Sequence, residues 1–186
     1  FGIFSPGITQ FFPRGQVMDL HPYEPNEVGP CLMAALGQDV PIVALHTTRP
    51  NIEIPDRKAL GMASHMDAAK GAYLIRDYDP SRPADGCIFV RGTSSTANVI
   101  KLLKAGAFDG SGPNVKLVAA ISHELFMLQD EAYQESIANQ ADWFNSTFIT
   151  NGARQMMWLW TAHQTSFKYA MGPDWDNRWR TGGSGN

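Results

Sequence analysis

The feature that most constrains this chain is a change of hydrophobic period that repeats along its second half. Short β-rich runs at residues 72–75 and 87–90 are separated by the turn-forming Asp79-Pro80-Ser81-Arg82-Pro83. Gly92-Thr93-Ser94-Ser95-Thr96 then opens a helix whose Val99, Ile100, Leu102 and Leu103 share a stripe, and it stops near Gly106. Residues 115–121 return to a nearly continuous apolar run, the pattern of a strand covered on both faces. A helical segment over 124–137 follows, carrying Leu125, Leu128 and Ala132 on one side, then a weaker strand over 146–150. A last helix is predicted over 153–163 from Met156, Met157, Leu159 and Trp160. Strands alternating with helices bury themselves as a mainly parallel sheet with helices on both faces, a three-layer α/β architecture. From Pro173 onward Trp175, Trp179 and several glycines show no period and read as an irregular tail.

The first part of the chain is a smaller unit. It begins abruptly with apolar residues and a Pro6-Gly7 turn, as expected of a chain cut from something larger. Asn26 is the natural N-cap of a helix carrying Val28, Leu32, Met33 and Leu36, with Glu27 at the positive end of the helix dipole and Gly37 as its stop. Residues 41–45 form an apolar run bounded by turn residues, expected as a strand buried on both faces. One helix and one strand cannot bury themselves. Between the two parts, Pro50 and Pro55 discourage regular structure and mark a linker.

Composition excludes several classes of function. With 186 residues, 44% of them apolar, the chain can bury one domain and part of another. Its 15 basic and 18 acidic residues are scattered, so there is no footprint for nucleic acid or an anionic membrane. No apolar stretch reaches the roughly 18 residues of a membrane span, and the start lacks the basic region of a signal peptide, so a cytoplasmic protein is expected. Cys31 and Cys87 lie in apolar runs without a CxxC spacing and read as buried thiols. Asn145-Ser146-Thr147 fits the glycosylation pattern by chance in such a context.

The chemistry-bearing residues are few. His21, His46, His65, His123 and His163 show neither HExxH nor a paired His-carboxylate spacing, and no metal site is expected. There is no nucleophile elbow and no Walker loop; residues 109–114 are glycine-rich but stand between a helix and a strand, as a turn does. Arg49 follows directly on the strand ending at His46-Thr47-Thr48. At the carboxyl end of a strand it could take a phosphate in a bidentate fork; otherwise it is a solvated arginine, or a surface partner of Glu53 or Asp56.

Residues 115–122, then Glu124-Leu125-Phe126 and Asp130-Glu131-Ala132-Tyr133-Gln134-Glu135-Ser136-Ile137, resemble the C-terminal domain of transketolases, where a strand precedes Glu-Leu-Phe and Asp-Glu-Ala-Tyr-x-Glu-Ser. His21-Pro22-Tyr23-Glu24-Pro25-Asn26-Glu27 resembles the family's Arg-Pro-Ala-Asp-Ala-Asn-Glu turn, and residues 45–51 its strand followed by Ser-Arg-Gln-Asn. Gly71-Ala72-Tyr73 and Gly92-Thr93-Ser94 match further landmarks in order. The resemblance covers roughly residues 5–140.

The resemblance implies a layout: residues 1–55 as the end of a pyrimidine-binding domain, 56–70 as a linker and 71–186 as a transketolase C-terminal-like domain. It implies a parent enzyme that moves two-carbon ketol units between sugar phosphates with thiamine diphosphate and a divalent cation, Mg or Ca, in a homodimer. The chain itself lacks the diphosphate-binding segment and is expected to be inactive alone and to hold no cofactor. Arg49 matches the family arginine that holds the sugar phosphate. Gln10 matches the last residue of Asp-Gly-Pro-Thr-His-Gln, in which Ser5 and Thr9 replace the substrate-contacting Asp and His. The substrate-binding candidates are therefore Arg49 and Gln10. After residue 140 the family's ending is not visible. A 2-oxo-acid dehydrogenase component or deoxyxylulose-phosphate synthase shares this domain, and a non-catalytic interaction or regulatory module is the reading outside enzymes.

Overall fold

A computed structural model describes residues 5–47 and 51–176. Two sheets organise it. In the first, strand β1 (Val17–Leu20) pairs in parallel with β2 (Ile42–Leu45), joined by helix α1 (Pro25–Leu36). In the second, β3 (Ala72–Arg76), β4 (Gly86–Arg91), β5 (Val115–Ala120) and β6 (Ser146–Thr150) lie in the order β3-β5-β4-β6. β4 runs parallel to both β5 and β6, while β3 closes one edge antiparallel to β5. Helices α2 (Thr93–Lys104), α3 (His123–Met127), α4 (Glu131–Ile137) and α5 (Gln140–Phe144) connect the strands of the second sheet, and α6 (Gln164–Lys168) follows β6.

The expected α/β class holds, and the strand period explains the layers. On β5, Val115, Leu117 and Ala119 enter one core with Leu20, Cys31, Tyr73, Ile75, Val90, Val99 and Ile100. Val118 and Ala120 point the other way, among Phe89, Phe126, Phe148, Met157 and Trp160. Successive residues face opposite sides, so a strand that is apolar at nearly every position must be covered twice, and β5, Lys116 included, is buried along its whole length. Both cysteines are buried free thiols, as their apolar surroundings imply.

Several local expectations are corrected. The N-cap of α1 is Glu24, not Asn26, because Pro25 takes the first helical position, where its missing N–H costs nothing. β2 is only half-buried: among the described residues it has a single strand neighbour, β1. The segment predicted as one helix over 124–137 breaks into α3 and α4 because the Asp130 carboxylate accepts the Tyr133 N–H (2.7 Å) and starts a new helix. Residues Arg154–Trp160 wind as a 3-10 helix and not an α-helix, and α5 was not anticipated.

The proline-marked connection is tied down. Arg57 donates to Glu24 (3.2 Å), to the fully buried Glu27 (2.5 Å), to Ala63 O (2.9 Å) and to the Tyr73 hydroxyl (3.2 Å). These bonds join α1 of the first sheet to β3 of the second. His21 N–H donates to Ile121 O (2.8 Å) and Thr93 Oγ1 to Tyr23 O (3.0 Å), which holds the carboxyl end of β1 against the carboxyl ends of β5 and β4.

Candidate functional site

That junction creates the site. Asp19 lies on β1, His21 immediately after it and His46 immediately after β2. The parallel register pairs Leu20 with Leu45, so the next residues, His21 and His46, emerge side by side. Their rings stack with centroids 4.3 Å apart and planes within 6°. Asp19 sits two residues before His21 and shares its face. Its Oδ2 meets His21 Nε2 at 3.0 Å and its Oδ1 meets His46 Nε2 at 2.6 Å.

A carboxylate can only accept, so both imidazoles present Nε2–H to Asp19. Burial alone would push the Asp19 carboxyl up, but the His21 and His46 hydrogen bonds and the charges of those rings outweigh it, and the group is held well below the usual carboxylate range. Burial and the nearby Arg91 cation bring His21 down to about 4 against the pull of Asp19, so it is neutral at physiological pH.

Asp19 and His21 form one wall of a cavity of about 350 Å³. Arg91, from the carboxyl end of β4, lines it too: it is 6% exposed, and its Nη1 donates to Met156 O at 3.0 Å. Burial lowers Arg91 to about 10, only partly offset by the charges of Asp19 and Glu124. The lining continues through Ser122, His123 and Glu124 from the end of β5 and the start of α3. Glu124 Oε2 accepts from Asp19 N–H (3.4 Å) and Ser122 Oγ–H (3.2 Å), and burial raises its carboxyl. His123 packs edge-on against Trp160 and is lowered to about 4 by burial and by the charge of Arg14. The Arg14 guanidinium lies 5.2 Å from the Trp158 ring centre.

Of the two residues predicted from sequence, Gln10 lines this cavity and donates through Nε2 to Met156 O at 3.4 Å, the same carbonyl that Arg91 uses. Arg49 lies outside the described residues. Among the described residues Glu53 pairs with Lys104 (2.9 Å) and Asp56 accepts from Ala59 N–H (3.0 Å). Sequence reasoning missed Asp19, Arg91 and Glu124 as site residues and left His21 and His46 unconnected. The available signal was position: polar residues at or just beyond the carboxyl ends of β1, β2, β4 and β5, where open α/β sheets collect ligands.

The Asp19, His21 and His46 donors lie within 4.8 Å of one another, the spacing of a metal site. The stacking opposes that use, because an ion about 2.0–2.1 Å from each nitrogen cannot lie in the planes of two parallel rings 4.3 Å apart. Nor does a donor set with two imidazoles suit Mg or Ca, which take oxygen ligands.

No family model and no curated protein matches this chain. Solved structures do. A transketolase mutant from Pichia stipitis in complex with xylulose 5-phosphate superimposes with a TM-score of 0.66 at 19% identity, over 99% of this chain and 24% of that one. The chain is folded like a transketolase. Transketolases from Campylobacter jejuni (TM-score 0.59, 17% identity, 99% of this chain and 25% of that one) and Leishmania mexicana (0.58, 17%, 91% and 22%) give the same result. The chain spans about a quarter of the length of these transketolases. The transketolase-like fold therefore includes both sheets and the junction that holds the cavity.

Proposed function

We propose that this chain is part of a transketolase-like transferase that moves two-carbon ketol units between sugar phosphates. The observation that carries the reading is the likeness of fold over 99% of the chain to a transketolase in complex with xylulose 5-phosphate, joined to the ordered sequence landmarks between His21 and Ile137. In this reading residues 1–55 end the pyrimidine-binding domain, 56–70 link, and 71–186 form the C-terminal domain. The protein is a cytoplasmic homodimer.

Thiamine diphosphate and its Mg or Ca ion belong elsewhere in the assembly. The chain has no Gly-Asp-Gly followed at a distance by a metal-binding Asn, and the Asp19, His21 and His46 donors do not fit a hard, oxygen-seeking cation. No chemical step is assigned to the described residues. The role proposed for this chain is substrate recognition. Arg49 takes the phosphate through a charge-assisted fork, and Gln10 offers an amide to a sugar hydroxyl.

The test uses the complete protein with thiamine diphosphate, Mg and xylulose 5-phosphate as donor, with an aldose phosphate as acceptor. Transfer that lengthens the acceptor by two carbons is the expected result. Turnover of pyruvate without ketol transfer would replace this reading with a 2-oxo-acid enzyme. Arg49→Ala is expected to raise KM for the phosphorylated donor by about tenfold or more, the loss of a charged hydrogen-bonded pair; an unchanged KM removes Arg49 from the phosphate site.

A further inference from the structure

The cavity holds a cation that the protein itself leaves largely unengaged. A guanidinium carries five N–H donors. Arg91 is more than nine-tenths buried, yet among the described residues its side chain makes one hydrogen bond, to Met156 O, and no carboxylate oxygen lies within 4.0 Å of it. Two other described cations, Arg57 and Lys116, are handled differently. Arg57 is bonded to Glu24, Glu27, Tyr73 and Ala63, and Lys116 is paired with Asp142 at 2.8 Å. Burying a charge without a partner is costly, and a binding site is the setting in which that cost is recovered when the ligand arrives.

We propose that this cavity is a binding site for a small hydroxylated oxyanion, with the charged end of the ligand on Arg91 and its hydroxyl on the Glu124 side. The volume, about 350 Å³, suits a small metabolite. The planar fork of Arg91 matches a carboxylate or phosphate, and Arg14 adds a second positive charge to the lining. The two acids beside Arg91 do not cancel this. Both oxygens of Asp19 are turned to His21 and His46, and Glu124 Oε2 is engaged by Asp19 N–H and Ser122. Burial also raises the Glu124 carboxyl, which disfavours its negative charge. Gln10 and the acceptor oxygens of Glu124 are groups that bind hydroxyls, which selects a hydroxylated ligand over a bare anion. The cavity shares Gln10 with the proposed sugar site, but its anchor is Arg91 and not Arg49, so the inference stands whether or not the complete protein transfers ketol units.

Calorimetric titration of the protein with glycerol 3-phosphate and, separately, with glycerate tests the site and decides between its two oxyanion classes. Saturable binding of at least one is expected, with affinity reduced tenfold or more in Arg91→Met and unchanged in Arg82→Gln, which lies outside the cavity. Because Arg91→Met could disturb folding, the unaltered protein supplies a second reading. Phenylglyoxal modification of Arg91, followed by peptide mass spectrometry, should be slowed by the bound anion while modification of Arg82 is not. Absence of saturable binding by both probes, full affinity in a folded Arg91→Met protein, or no protection of Arg91 at a saturating probe concentration would each overturn the proposal.

Discussion

The rings of His21 and His46 stack at 4.3 Å with their planes within 6°, each held through Nε2 to a different oxygen of Asp19. The pair makes the fold sensitive to acid. His21 is depressed to about 4 in the folded protein from an ordinary 6.5 in the unfolded chain. Between those values the unfolded state binds more protons than the native state, so stability rises with pH across this window and is lost as pH falls from about 6.5 to about 4. His123, lowered to about 4, acts in the same sense. The slope for one such group is on the order of 1 kcal/mol per pH unit. Urea unfolding midpoints between pH 4 and 7 should show it, and His21→Gln, which keeps an N–H toward Asp19 but does not titrate there, should flatten it. An unchanged slope would mean that His21 is not buried neutral.

Much of the second sheet could be read from the sequence because period and burial coincide there. β5 is apolar at nearly every position and is covered on both faces, so its pattern had one solution. The site was less legible. Asp19, His21 and His46 are brought together by a parallel register between strands separated by a helix, and β1 itself, four residues long, gave no period to find. Arg91 ends an apolar strand, and nothing local distinguishes a solvated arginine there from one covered by the 3-10 helix at Arg154–Trp160. Asn26 was expected as a cap from residue type alone, but Pro25 decided the helix start.

Arg57 and Glu27 fasten the two sheets together through a buried pair, with Glu27 fully inaccessible and also accepting from Tyr73 Oη–H and Tyr23 N–H. Arg57→Met should destabilise the protein by about 3–5 kcal/mol, because it strands a buried carboxylate. Adding Glu27→Gln removes the stranded charge and should restore part of the loss. A double-mutant cycle in urea measures the coupling, and additive effects would show that the pair does not act as a unit.

Gly71 turns the chain from the 3-10 helix at His65–Lys70 into β3 with φ of +83°. A Cβ at this position would stand 2.3 Å from both Phe126 N and Ser122 O, which are backbone atoms that cannot rotate away. Gly71→Ala therefore combines an unfavourable backbone conformation with a clash against the start of α3, and a loss of more than about 2 kcal/mol is expected. Because Ser122, His123 and Glu124 line the cavity, the variant should also weaken ligand binding there. Thermal unfolding close to that of the unaltered protein would contradict this account.

Lys116 projects from β5 to the buried Asp142 of α5 at 2.8 Å, and Asp142 also accepts from the Tyr78 hydroxyl (2.7 Å) and from Asn139 N–H (3.0 Å). Asp142 thus satisfies a buried cation, a phenol and the N-terminus of a helix at once. Asp142→Asn retains an acceptor for Tyr78 but leaves Lys116 charged and unpaired, since Asp77, at 3.7 Å, is more than half exposed. The expected cost is about 3–5 kcal/mol, larger than that of Tyr78→Phe, about 1–3 kcal/mol for a hydrogen bond to a charged group. Lys116→Met in the Asp142→Asn background should recover stability, because it replaces a stranded ammonium with an apolar side chain of similar length. Chemical denaturation of the three proteins ranks them. If Asp142→Asn cost no more than Tyr78→Phe, the ion pair would have no net role in seating α5 against the sheet.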